Sequence, residues 1–244
     1  MKVGSNSNRI RQNFSFKNHL IEFNRDLERV LFRIDDKSYD RIWHDHSHEL
    51  ELHSLSHLQQ AILYLEDRRF LVHHGFELRA PLRLLKRAIL RRRAGAVSTI
   101  DQQLVRIYTG RYERTIRRKI RETTLAFLLN SHRGKADIFY AYLHDSYFGY
   151  RLEGCEITSR FLFSKPAVKL SLEEASFVAS LLARPLPKKV FETVMKEREF
   201  REITPEHLIR LGVLENLDWA NHVCSRYQYV RRMFPSIPNS LRIR

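Results

Sequence analysis

The sequence predicts a mainly α-helical protein, and three observations carry that reading. Its 244 residues include only 8 Gly and 7 Pro, too few for many strands joined by tight turns. Apolar residues recur at three- and four-residue steps, as on one face of a helix, rather than alternating. Capping-box signatures, in which a hydroxyl residue precedes Glu or Gln by three positions, stand ahead of apolar runs at Thr99 with Gln102 and at Ser171 with Glu174.

Composition narrows the class. A chain of this length buries roughly 70–75% of its unfolded surface, so it can build a core without staples. Cys155 and Cys224 are too few for a secreted disulfide framework, and a reducing compartment fits best. Uninterrupted apolar stretches run only a few residues, against the ~18 that a bilayer span needs, so no transmembrane helix is expected. The opening residues carry positive charge without an apolar run behind them, which argues against a signal peptide. Any membrane contact is therefore expected from the surface. The 43 Lys and Arg outnumber 28 Asp and Glu for a formal charge of +15, and 32 of the 43 are Arg. Guanidinium suits forked recognition of phosphate oxygens, which leaves nucleic acid, anionic lipid and a phosphorylated sugar as partner classes.

Residues 1–56 read as a polar, helix-prone lead-in with Ile21, Phe23, Leu27, Val30, Leu31 and Ile34 as its apolar stripe. It ends in a histidine-rich run where His44 and His48, or His53 and His57, stand four apart. That spacing could hold a metal, but a solvated, partly capping segment on an amphipathic helix is the favoured reading. Residues 57–187 are denser in pattern and form the expected core domain. Its first chemical segment is EDRRFLVHHG, in which Glu66 and Asp67 follow the apolar face Leu58, Ile62 and Leu65. A carboxylate beside such a face can accept a proton near neutrality, or simply answer Arg68 and Arg69.

Residues 78–100 hold seven cations and no acid, with Leu78, Leu82, Leu85 and Ile89 on one helical face. A membrane-interface helix, a core helix and a nucleic-acid stripe all fit this pattern. Ser98 to Arg106 opens a helix whose free backbone N–H groups could take a phosphate as well as a cap. In ERTIRRKIRE, Arg114, Arg118 and Glu122 stand at successive steps of four, an arrangement that stabilises a helix or gathers cations around a departing pyrophosphate. A helical run is expected from Lys135 through SYFGYRLEG to the apolar helix after Ser171, with turns at Gly149 and Gly154. Residues 188–244 read as a short helical extension, with Thr204, Pro205 and Glu206 starting a helix.

In this order the segments resemble the peptidoglycan glycosyltransferase family, the transglycosylase module of bifunctional penicillin-binding proteins and of monofunctional cell-wall transglycosylases. Glu66, Asp67, Phe70, His73 and Gly75 match its first motif, E-D-x-x-F-x-x-H-x-G. Ser98, Thr99, Ile100, Gln102, Gln103 and Leu104 match most of the second, and Arg118, Lys119 and Glu122 match the third, R-K-x-x-E. Lys135, Ile138, Tyr142, Leu143, Phe148 and Gly149 match the fourth. Phe163, Lys165, Leu170, Ser171, Leu172, Glu174 and Ala175 match the last. Departures are Ala96 and Val97 for paired glycines, Asp101 for a hydroxyl residue, Arg106 for Lys, Ile107 for Asn and His144 for Asn.

The resemblance implies a lysozyme-like fold of two lobes, the smaller dipping into the membrane interface, which favours lipid as the partner of segment 78–93. It implies an inverting enzyme that polymerises lipid II into glycan strands and releases undecaprenyl pyrophosphate. Glu66 would be the general base and Glu122 the second carboxylate, near the pyrophosphate and a divalent cation, Mg2+ or Mn2+. Arg106 and Arg114 would neutralise the pyrophosphate, Ser98, Gln103 and Lys119 would position the substrates, and Asp67 and Arg118 would also face the substrate. The expected location is peripheral to the inner membrane, with no nucleic-acid partner. A paralogue that binds lipid II without turnover is the alternative.

Overall fold

The structure, a computed structural model, describes residues 4–36, 55–77 and 98–233. The expected basic segment 78–93 and smaller lobe, the positions Ala96 and Val97, and His44, His48 and His53 lie outside the described residues. The mainly α expectation holds: ten α-helices, a 3-10 turn and one two-stranded hairpin are present among the described residues. No described helix is long and apolar enough to cross a membrane.

The centre is helix α7 (Leu172–Leu181), which Ser171 and Glu174 start through the expected capping box. Ala175, Phe177, Val178, Ala179 and Leu181 are all fully buried, and Ser176 and Ser180 return their hydroxyls to the carbonyls of Leu172 and Ser176. A helix apolar on every side must be enclosed. Two helices enclose it: α2 (His57–Glu66), through Leu58, Ala61 and Ile62, and the C-terminal helix α10 (Leu217–Met233), through Val223, Tyr227 and Val230. Helices α8 (Lys188–Glu197) and α9 (Pro205–Glu215) lead into α10, and the Trp219 ring lies so close on Gly212 of α9 that a Cβ there would meet it at 2.1 Å. Val190, Leu208, Trp219 and Val223 of these C-terminal helices belong to the same buried cluster as α7.

A second group of helices flanks this centre. Helix α3 (Ile100–Thr109) packs on α4 (Ile116–His132) and α5 (Lys135–Asp145), and α1 (Gly4–Asp36) lies across all three. Val30 and Ile34 of α1 are buried, with Phe23, Leu27 and Leu31 packed against the core. Ile21 was expected in this stripe but is exposed, two residues ahead of the three- and four-residue steps that begin at Phe23. Asp26 on the same face is buried because Arg111 Nε at 2.9 Å and Arg121 Nη2 at 2.6 Å neutralise it.

The helical run expected after Lys135 is interrupted. Strands β1 (Tyr147–Gly149) and β2 (Leu152–Glu153) form a hairpin ahead of α6 (Cys155–Phe163). Leu186 N donates to Phe148 O at 2.8 Å, and a Cβ on Gly149 would fall 2.6 Å from the Leu186 side chain. That close approach, and the positive φ of Arg151 (59°) and Gly154 (82°), break the helix at the expected turns.

The turn after α2 is joined to the start of α3 by Thr99, whose Oγ1 donates to Gly75 O at 2.7 Å. Gly75 has φ +84°, and a Cβ there would meet Ala126 O of α4 at 2.3 Å. Gly75→Ala should therefore lower stability by about 2–4 kcal/mol through combined strain and overpacking. Gly110→Ala, at φ +64° but facing open space, should lose only about 1 kcal/mol. Urea unfolding midpoints of the two variants check the difference.

Candidate active site

Glu66 is the last residue of α2, so its side chain projects from a helix end. Its side chain is 7% exposed. Gln103 Nε2, from α3, donates to Oε2 at 3.2 Å, and Arg226, from α10, donates to Oε1. The Gln103 amide is oriented in turn by Tyr142 of α5, whose hydroxyl donates to Gln103 Oε1 at 2.9 Å. Burial, followed by the charge of Glu66, raises the Tyr142 phenol well above its ordinary value, so it stays a neutral donor. The alternative in which Arg68 and Arg69 answer Glu66 and Asp67 gives way: Arg68 stacks on Tyr64 and bonds Tyr229, while Arg69 faces Glu77.

Glu122 stands on α4 and is 3% exposed, surrounded by cations. Arg106 places Nε 3.1 Å from Oε2 and Nη2 3.2 Å from Oε1, Lys119 Nζ is 2.7 Å from Oε1, and Arg118 donates to Oε2. Burial opposes ionisation of Glu122, but the hydrogen bonds from Arg106 and Lys119 outweigh it and hold its carboxyl below the usual carboxylate value. Burial also lowers the Lys119 ammonium, with Glu122 opposing that shift. Three cations against one carboxylate leave net positive charge, and 27% of Arg106 and 35% of Lys119 remain exposed, so a further anion can reach them.

Ser98 joins the two centres. Its hydroxyl lies 3.0 Å from both Arg106 Nη2 and Lys119 Nζ, and its carbonyl takes a long contact from Gln103 Nε2 at 3.5 Å. A continuous polar path therefore runs from Glu66 through Gln103 and Ser98 to Arg106, Lys119 and Glu122. Gln102, besides closing the capping box with Thr99, accepts from Lys119 Nζ at 2.7 Å.

Two of the expected substrate-side residues, Arg114 and Asp67, lie outside this polar path. Arg114 precedes the Thr115 cap of α4, in irregular chain, and is exposed. Its four-residue step to Arg118 is therefore not a helical one, and Arg106 with Lys119 takes the place beside Glu122. Asp67 is turned inward: its Oδ2 accepts from His73 Nε2 at 2.8 Å and from Ile100 N at 3.1 Å, at the positive end of α3. It fixes the turn after Glu66 against the start of α3.

The unusual Asp101 is also internal. It is fully buried, and its Oδ1 accepts from Asn130 at 2.6 Å and from Lys135 at 2.9 Å, so its charge is turned away from the cations around Glu122. Asp67, His73 and Asp101 lie close enough together to suggest a cation site. The Lys135 ammonium, at Asp101 and 4.3 Å over the Phe70 ring, already supplies the cation. Glu174 serves its capping box and meets Lys165 at 2.6 Å, as a structural residue. Sequence reasoning missed Arg226. It stands 160 positions from Glu66, in a helix that matches none of the motifs, and no local signal marks it.

Comparison with known proteins places residues 37–204 on the family model described as Transglycosylase. The chain is 33% identical over 131 residues to a biosynthetic peptidoglycan transglycosylase of Nitrosomonas eutropha, covering 53% of this chain and 54% of that protein. It is 36% identical over 134 residues to the protein of the same name from Shewanella amazonensis, covering 53% of each. Against penicillin-binding protein 1A of Aquifex aeolicus it is 31% identical over 162 residues, 65% of this chain and 22% of that protein. The matches thus span about half of the length of the first two relatives and a smaller part of the third.

Replacing Glu122 by Gln at pH 7 should cost about 3 kcal/mol, because three gathered cations lose their counter-charge. Its native carboxyl is held low, so this contribution is present above the unfolded value and lost as pH falls through the native one. The gap between wild type and Glu122→Gln should therefore narrow below about pH 4, as urea titrations at neutral and acid pH would show.

Proposed function

Because the chain belongs to the transglycosylase family, we propose that it polymerises a polyprenyl-pyrophosphate-linked disaccharide, lipid II, into glycan strands. The observation that carries this reading is the polar path linking one buried carboxylate, Glu66, to a net-positive cluster built around another, Glu122. A glycosyl transfer with a pyrophosphate leaving group needs a proton acceptor on one side of the reacting carbon and preorganised positive charge on the other.

In the proposed step, the 4-hydroxyl of the acceptor sugar gives its proton to Glu66 as its oxygen bonds the anomeric carbon of the growing chain. The bond from that carbon to the pyrophosphate oxygen breaks, the carbon inverts, and undecaprenyl pyrophosphate departs with the electron pair. Negative charge grows on the leaving group, so Arg106, Arg118, Lys119 and the Ser98 hydroxyl bind it more strongly in the transition state than in the bound substrate. Glu122 holds those cations at one point before the substrate arrives, so little reorganisation is needed during reaction. Arg114, nearby in sequence and exposed, is available to a longer anion.

The divalent cation expected at Glu122 does not fit this arrangement. A carboxylate offers about four lone-pair positions, and Arg106 takes two while Lys119 and Arg118 take one each. The mechanism above routes no step through a metal. For the membrane, we assign contact to the basic segment 78–93 and to exposed Tyr112, Ile116 and Ile120, which lie among Arg114 and Arg117 next to the cation cluster. Sedimentation with anionic vesicles should deplete the protein from solution, and with neutral vesicles should not.

Purified protein given labelled lipid II tests the activity. Glycan polymer should form, and Glu66→Gln should reduce its rate by about 10²–10⁴, the usual worth of a general base. Lipid II bound with no polymer formed by the wild type would overturn the enzymatic reading in favour of a binding paralogue.

A further inference from the structure

We propose that Arg226 of α10 is a positioning residue for the Glu66 carboxylate, so that the C-terminal helix completes the catalytic site. The proposal rests on the reading of Glu66 as the proton acceptor. Glu66 ends its helix, and a glutamate there has free rotation about its side-chain bonds unless both oxygens are held. Gln103 holds Oε2 at 3.2 Å, and Arg226 Nη2 holds Oε1. One donor on each oxygen fixes the plane of the carboxylate, which a single donor would leave free to turn.

The surroundings show that Arg226 is delivered there by the fold. Its side chain is 18% exposed, and its Nε has no hydrogen-bond partner among the described residues, so its hold on the protein runs through Glu66. Three positions on, along the same face of α10, Tyr229 accepts from the Arg68 guanidinium. That guanidinium lies 4.0 Å over the Tyr64 ring and 5.5 Å from the Tyr229 ring, and the two tyrosine rings are 5.6 Å apart. Helix α10 therefore grips residues 64, 66 and 68 together, on both sides of the base. The rest of α10 packs on α7, so the angle of Arg226 is set by the main core.

The chemical consequence is geometric. The acceptor hydroxyl must approach a carboxylate oxygen in line with a hydrogen bond, and a misplacement of about 1 Å can cost 10²-fold in rate. Truncating Arg226 leaves Glu66 in place, with Gln103 attached, but its carboxylate free to swing.

The test is steady-state polymerisation of lipid II by the 244-residue wild-type chain, Arg226→Ala, Arg226→Lys and Arg231→Ala. Arg231 lies on the same helix but pairs with the half-exposed Glu173 at 3.4 Å, away from the site, and serves as the control for α10 docking. Arg226→Ala should lose about 10- to 100-fold in kcat with KM little changed. Arg226→Lys should recover part of the loss, as should guanidinium added to Arg226→Ala at non-denaturing concentration. Arg231→Ala should keep wild-type turnover. Wild-type turnover by Arg226→Ala would overturn the proposal while leaving the proposed function intact. A loss shared with Arg231→Ala, or one that neither lysine nor guanidinium relieves, would make Arg226 merely structural and overturn it too. Wild type that forms no polymer would remove the function and this proposal together. Should Arg226→Ala not fold, Arg226→Gln carries the same comparison.

Discussion

The burial of Glu122 among three cations is the constraint from which the site is built. A carboxylate taken out of water costs several kcal/mol unless charges and hydrogen bonds replace the water. Two like charges 4 Å apart repel by about 4 kcal/mol at an effective dielectric near 20. Each side therefore requires the other: Glu122 can be buried because Arg106, Arg118 and Lys119 surround it, and they can converge because Glu122 lies between them. Arg106 comes from α3 and the others from α4, so the pairing also fixes how these helices meet.

Around that array, charges are sorted by direction. Asp67, next to Glu66 in sequence, and Asp101, between Ser98 and Gln103, turn inward and are met by His73, the start of α3, Asn130 and Lys135. Burial lowers the Lys135 ammonium, with Asp101 and then Asp67 opposing. The negative charges that would repel an incoming anion are thus neutralised inside the core. The positive ones remain partly open to solvent. This sorting lets Asp101 stand in a segment otherwise suited to phosphate.

Much of this was legible in the sequence because it is local. The capping boxes at Thr99 and Ser171, the Thr204 cap with Pro205 behind it, and the turns at Gly149 and Gly154 each depend on residues a few positions apart, and each forms as read. The residues around Glu66, Ser98 and Glu122 were legible only through the order of the motifs they belong to. The step from Arg114 to Arg118 did not give a shared helix face, because a four-residue step carries meaning only inside a helix and the cap at Thr115 leaves Arg114 outside. The inward turn of Asp67 could not be read either, since adjacent carboxylates at a helix end look alike until tertiary packing chooses between them. Arg226 was out of reach for a stronger reason: its contact joins the second helix to the last, and only the packing of α2 and α10 on α7 brings them together.

The hydrogen bond from Thr99 to Gly75 spans 24 positions of sequence, and the backbone of Gly75 is wedged against α4 at the same point. The two contacts act as a clamp that holds the turn after α2 on the start of α3 and on α4 at once. Pinning two points this far apart along a chain carries an entropy cost that grows only logarithmically with the length closed, by about 0.6 kcal/mol for each doubling. The positions of Glu66, ahead of one jaw, and of Gln103 and Arg106, behind the other, are therefore set by the clamp itself and not by the number of residues that join its two sides.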